Sequence, residues 1–143
     1  MSIAKVLFVD DEVPFVEALS KRLTKRDLEI IPAYSGDEAL KRLAEQTTIE
    51  VVLLDVKMPG MDGIETLQKI KKKTPLVEVI MLTGHATVES AIDGMKLGAF
   101  DYLMKPCEID VLVSKVSAAA AKKRSHEEKI MQARLKEVTM RRA

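Results

Sequence analysis

Apolar residues along this chain follow two textures: short unbroken runs, and longer stretches with an apolar residue every third or fourth place. The unbroken runs are Lys5-Val6-Leu7-Phe8-Val9, Glu29-Ile30-Ile31-Pro32-Ala33, Val51-Val52-Leu53-Leu54, Val77 to Leu82, and Phe100-Asp101-Tyr102-Leu103-Met104. Runs of this kind predict short strands, the more continuous of them buried on both faces. Pro32 cannot donate to a ladder, which predicts an edge position for the second strand. Between the runs, Val13, Val16, Leu19 and Leu23 predict a helix over about 14–26, with Pro14 suited to its first turn. Ser35-Gly36-Asp37-Glu38 has the spacing of a capping box, and Ala39, Leu40 and Leu43 carry that helix to about Gln46. Asp62 can cap a third helix that turns Ile64, Leu67 and Ile70 inward. That helix ends on Lys71-Lys72-Lys73, favourable at the negative end of the helix dipole, with Pro75 closing it. A fourth helix over 87–97 is expected to turn Ala91, Ile92 and Met95 inward and to stop at Gly98. From Glu108 onward nothing breaks helix.

Strands that alternate with helices predict a parallel sheet joined by right-handed crossovers. The fold class is α/β, a doubly wound five-stranded parallel sheet of order 2-1-3-4-5 (flavodoxin-like) with five helices, the last extended. At 143 residues, 47% hydrophobic and 31% charged, the chain fits one domain with an appendage. One cysteine, Cys107, excludes an internal disulfide and fits a reducing compartment. No apolar run approaches about 20 residues, and Met1-Ser2-Ile3-Ala4-Lys5 has no signal-peptide pattern. The expectation is a soluble, cytoplasmic protein without membrane association. Charge is uneven: residues 1–107 carry 14 Lys+Arg against 17 Asp+Glu, and residues 108–143 carry 9 against 5. With three Phe, two Tyr and no Trp, stacking platforms are scarce. The basic tail therefore reads as a solvated helix face, and direct nucleic-acid binding is not expected.

In such a sheet the carboxyl ends of the strands meet along one edge, where open α/β sheets place their chemistry. Strands one, three, four and five would deliver Asp10 and Asp11, Asp55, Thr83 and Lys105 to one site. Each has an ordinary reading as well: Asp55 as a turn starter or helix cap, Asp10 or Asp11 as a cap, Thr83 as a strand-end residue, Lys105 as a surface charge. Three clustered carboxylates repel one another, and a divalent cation removes the conflict; oxygen ligands with retained waters suit Mg²⁺. His85 and His126 carry no zinc-ligand spacing. An aspartate here can act as nucleophile and become an aspartyl phosphate, with Lys105 and the metal neutralising the transferring group. No glycine-rich phosphate loop is present, so the phosphoryl group must arrive already activated.

Val9-Asp10-Asp11-Glu12, Leu54-Asp55-Val56-Lys57-Met58-Pro59-Gly60-Met61-Asp62-Gly63, Leu82-Thr83-Gly84, Gly98-Ala99-Phe100-Asp101-Tyr102 and Lys105-Pro106 stand in one order and spacing. With these motifs the chain resembles the receiver domains of bacterial two-component response regulators, most closely those of nitrogen-regulation-type activators, over roughly residues 3–124. The resemblance implies that Asp55 accepts phosphate from a histidine kinase. It implies Mg²⁺ held by Asp11, Asp55 and the backbone carbonyl of Lys57, with Asp10 acting mainly through water. Thr83 and Lys105 would contact the phosphoryl group, and Lys105-Pro106 would be a cis peptide. Tyr102 would be the switch aromatic that moves with Thr83. Lys57 and His85 would tune the lifetime of the phosphate.

The division expected is a receiver domain over 1–124 and a helical extension or linker over 125–143. Ile109, Leu112, Val113, Val116 and Ala120 form the stripe of the fifth helix, and a weaker stripe resumes at Met131, Leu135 and Val138. A homodimer would use the face of helix 4, strand 5 and helix 5 together with this C-terminal helix. The expectation is a signalling switch rather than an enzyme. Two other readings compete. One is a Mg²⁺-dependent phosphatase or phosphotransferase working through an aspartyl phosphate, against which Lys57 stands where a second acid would be needed. The other is a phosphorylation-independent scaffold.

Overall fold

A computed structural model describes residues 2–84 and 87–142. The elements follow the chain as β1 (Ala4–Val9), α1 (Val13–Thr24), β2 (Leu28–Ala33), α2 (Gly36–Glu45), β3 (Val51–Leu54), α3 (Gly63–Lys73), β4 (Glu78–Thr83), α4 (Val88–Lys96), β5 (Asp101–Met104) and α5 (Ile109–Arg142). The sheet has the order β2-β1-β3-β4-β5, with every neighbouring pair parallel. β2 lies at an edge, where Pro32 costs no ladder bond.

The period-two alternation of a strand divides its residues between two cores. Val6, Phe8, Val51, Leu53, Ile80 and Leu82 meet α1 and α5 on one face. Leu7, Val9, Val52, Leu54, Val79 and Met81 meet α2, α3 and the α4 side on the other. Both faces of β1, β3 and β4 are covered, which is why their sequences read as unbroken apolar runs.

The helix starts follow their caps. The Ser35 side chain accepts from the Glu38 N–H at 3.1 Å, and the Glu38 carboxylate turns back to the Tyr34 N–H, one residue earlier than in a standard capping box. Asp62 accepts from the Glu65 N–H at 2.9 Å. Thr87 and Ser90 cap α4 reciprocally.

Two inward assignments need correction. Ile92 and Met95 are 48% and 47% exposed. Among the described residues of α4 the buried one is Gly94, where a Cβ would lie 3.7 Å from Met81 and 3.8 Å from Tyr102. The helix meets the sheet through its smallest residue, which periodicity counted on large apolar residues cannot register. Val13, at the start of α1, is 41% exposed. α5 runs unbroken for 34 residues. Lys123 is its last buried position, and the stripe of Met131, Leu135 and Val138 is exposed.

Candidate functional site

The strand ladders continue one step past the strands and carry the site residues with them. The Asp10 N–H donates to Ala33 O, the Asp55 N–H to Val9 O and the Lys105 N–H to Thr83 O, at 3.1, 3.0 and 2.9 Å. Each side chain is thereby set by sheet backbone rather than by a free loop. Behind Asp55 the chain turns through Gly60, whose φ of +76° lies in the left-handed region. The loop is then locked by Gly63. Its N–H donates to Val56 O at 2.7 Å, and a Cβ there would stand 2.0 Å from Asp55 O. Only glycine lets α3 begin directly against the Asp55 backbone.

Ligand oxygens of Asp10, Asp11 and Asp55 all lie within 4.8 Å of one another. Asp10 and Asp55 are buried, 0% and 1% exposed, and Asp11 is the more accessible of the three. Asp10 accepts from the Glu12 N–H at 2.9 Å, and Asp55 from the Val56 N–H at 2.8 Å. The Lys105 ammonium sits 2.5 Å from Asp10 Oδ2, 3.4 Å from Glu12 Oε1 and 3.9 Å from Asp55 Oδ2. It also lies over the Phe15 ring, 4.2 Å from the centroid.

These neighbours set the charge balance. Burial pushes the Asp55 carboxyl above the ordinary carboxylate range, against a hydrogen bond from the buried Thr83 hydroxyl; the Asp10 charge adds to the push, while Lys105 and the Val56 N–H oppose it. Burial would lower Lys105, but the hydrogen bond and charge of Asp10, with Asp55 and Glu12 beyond, prevail and raise it. Three carboxylates against one ammonium leave an excess of negative charge among hard oxygen donors. That donor set suits a divalent cation of the Mg²⁺ type, which accepts carboxylate oxygens and keeps several waters.

Asp10, Asp11, Asp55, Thr83 and Lys105 are thus brought together. The Lys105-Pro106 peptide is cis. Tyr102 is half-buried, and its hydroxyl is 3.0 Å from Ser90 Oγ in the first turn of α4. Lys57 is exposed in the loop two residues after Asp55. His85 lies outside the described residues. Sequence reasoning missed the contacts of Glu12 and Phe15 with Lys105, which join residues about ninety positions apart. It also missed the Ser90–Tyr102 pair. The only available signal was Glu12 directly following the two aspartates.

Among the described residues no helix is long and apolar enough to cross a membrane. The chain is 38% identical over 116 residues to the transcriptional regulatory protein ZraR of Escherichia coli K12, covering 81% of this chain and 26% of that protein. It is 40% identical over 111 residues to the DNA-binding transcriptional regulator NtrC of Klebsiella pneumoniae, covering 78% and 24%. It therefore spans about a quarter of the length of these curated relatives. A crystal structure of a response regulator receiver domain protein from Clostridium thermocellum superposes with a TM-score of 0.75 at 36% identity, over 89% of this chain and 98% of that one. Residues 6–117 match the response regulator receiver domain, and the chain belongs to that family of two-component signalling switches.

Proposed function

We propose that this chain is switched by phosphorylation of Asp55, with a histidine kinase as donor. The observation that carries the reading is a buried aspartate at the end of a central strand, 3.9 Å from a lysine and within one cluster with two further aspartates. An Asp55 carboxylate oxygen attacks the phosphorus of the donor's phosphohistidine. The P–N bond breaks, and the imidazole leaves and takes up a proton. Lys105 neutralises charge on the phosphoryl oxygens, and the Thr83 hydroxyl donates to one of them. Asp10, Asp11 and Asp55, with the Lys57 carbonyl, would hold Mg²⁺, which supplies further neutralisation of the transferring group. The chain acts as a switch and does not turn over a separate substrate.

The output follows from Thr83. Once drawn to the phosphoryl group, its hydroxyl leaves space toward β5, and Tyr102 trades its Ser90 contact for that space. The exposed Ile92, Met95 and Met104 lie on α4 and β5. A change there would alter the face of α4, β5 and α5 and any homodimer formed through it and the α5 extension. Lys123 as the last buried residue supports a domain end at 124, with 125–143 as the extension. Regulation of a longer, cytoplasmic protein's output domain is in keeping with relatives about four times as long.

The test is intact mass after incubation with a small phosphodonor and Mg²⁺. One phosphoryl adduct is expected on the wild-type chain and none on Asp55→Asn. An adduct of normal yield on Asp55→Asn would remove Asp55 from the role.

A further inference from the structure

We propose that Phe15 and Glu12 form a seat on α1 that keeps the Lys105 ammonium beside Asp55 when a divalent cation takes over Asp10. The inference rests on the phosphoacceptor reading of Asp55 and concerns what holds the lysine there. Lys105 and a metal compete for the same carboxylate: Lys105 Nζ is 2.5 Å from Asp10 Oδ2, and Asp10 belongs to the oxygen cluster. A cation on Asp10 weakens the shortest contact of Lys105. Among the described residues, what remains is Glu12 at 3.4 Å, the Phe15 ring face at 4.2 Å and Asp55 itself at 3.9 Å.

Glu12 and Phe15 are three residues apart, at the N-cap and in the first turn of α1, so they share one face of the helix. Glu12 is 57% exposed at its side chain, and its ion pair is weakened by water. Phe15 is the firmer part. Its ring is braced by Phe8, edge to face with centroids 5.8 Å apart, and an aromatic face attracts an ammonium without being neutralised by a metal. Glu12 and Phe15 are positioning residues: they touch neither Asp55 nor the transferring group, and they act through Lys105.

Two readouts test the seat. In the full chain carrying ¹³C-labelled lysine, the Lys105 ε-methylene should be shifted upfield by the Phe15 ring current, with and without Mg²⁺. Phe15→Leu should abolish that shift, Phe15→Tyr should keep it, and Glu12→Gln should reduce it chiefly in the presence of Mg²⁺. In phosphorylation by acetyl phosphate at saturating Mg²⁺, Phe15→Leu should slow adduct formation roughly three- to tenfold, with Phe15→Tyr restoring the rate. In the Lys105→Ala background, Phe15→Leu should have no further effect. An unshifted Lys105 methylene in the wild-type chain with Mg²⁺ would overturn the seat. So would an equal slowing by Phe15→Leu with and without Lys105. Absence of any adduct on the wild-type chain would overturn the phosphoacceptor reading alone, and the Lys105 resonance would still decide the seat.

Discussion

The two edges of the sheet both hold shielded carboxylates and treat them in opposite ways. At the carboxyl edge, among the described residues, Asp10, Asp11 and Asp55 share one nearby ammonium, that of Lys105. At the amino edge, Glu50 and Glu78 meet several cations. Arg124 grips Glu50 with two nitrogens at 2.6 and 2.8 Å and also donates to Ile3 O. Lys71 and Lys122 lie 3.7 and 3.4 Å from the Glu78 carboxylate. The electrostatic result follows. Burial works against the Glu50 charge, but Arg124, the Lys5 N–H and Lys123 outweigh it and hold the carboxyl below its ordinary value. Asp55 is held above its own. A carboxylate surrounded by cations has nothing to gain from a further one. A cluster short of positive charge is disposed to take up a metal. The amino edge anchors α5; the carboxyl edge keeps an excess of negative charge.

The contrast can be broken most strongly with metal. Mg²⁺ at a hundredfold excess over its Kd should stabilise the fold by about 2.7 kcal/mol, because only the folded chain assembles the site. Melts with Mg²⁺ and with EDTA should show that gap in the wild type and in Arg124→Ala. They should show little of it in Asp11→Ala.

Removing charge from the crowded edge comes next. Without metal at pH 7, Asp55→Asn should raise stability by on the order of 1 kcal/mol, a few degrees in Tm. The sign follows from the raised carboxyl. The wild-type penalty is absent below the unfolded value, grows as pH climbs through the raised folded value, and is full above it. The Tm difference should therefore vanish in acid below the ordinary aspartate value of 3.8. A difference that persists there would mean that packing, not charge, separates the two proteins.

A smaller, opposite effect is expected at the amino edge. Arg124→Ala should lower stability by roughly 1 kcal/mol or less, since the arginine side chain is 53% exposed. Because Glu50 is depressed, that loss should be present at pH 7 and disappear as pH falls below 4.5 through the lowered value. The smallest effect concerns Lys57, exposed beside the site. Lys57→Ala should change the lifetime of the phosphorylated form by no more than about twofold, within what exposed ion pairs contribute. Equal decay rates by intact mass would remove Lys57 from lifetime tuning.

Much of this was open to inspection in the chain itself. The apolar runs of β1, β3 and β4 identify themselves because burial on both faces leaves no room for polar residues. Pro32 marks the edge strand because proline has no N–H to give. Asp55, Asp10 and Lys105 could be assigned to one site because parallel strands must end on the same side. α4 was misread because its contact is made by Gly94, and a residue without a side chain leaves no mark in a hydrophobic pattern. The α5 extension could be read as helix, since nothing in Glu108 to Arg142 interrupts one. The Arg124–Glu50 grip that ties it to the amino edge could not be read, because it joins residues 74 positions apart.

The chain by itself determined the element order, the parallel sheet and the set of charged side chains gathered at its carboxyl edge. These depend on local pattern and on the geometry common to all parallel sheets. Only the tertiary structure decided which face α4 turns inward, that Lys105 rests on Asp10 and over Phe15, and that the amino-edge carboxylates are compensated while Asp55 is not. Those outcomes turn on distances of a few ångströms between residues far apart in sequence. Charge balance at that scale is a property of packed neighbours, not of any stretch of chain.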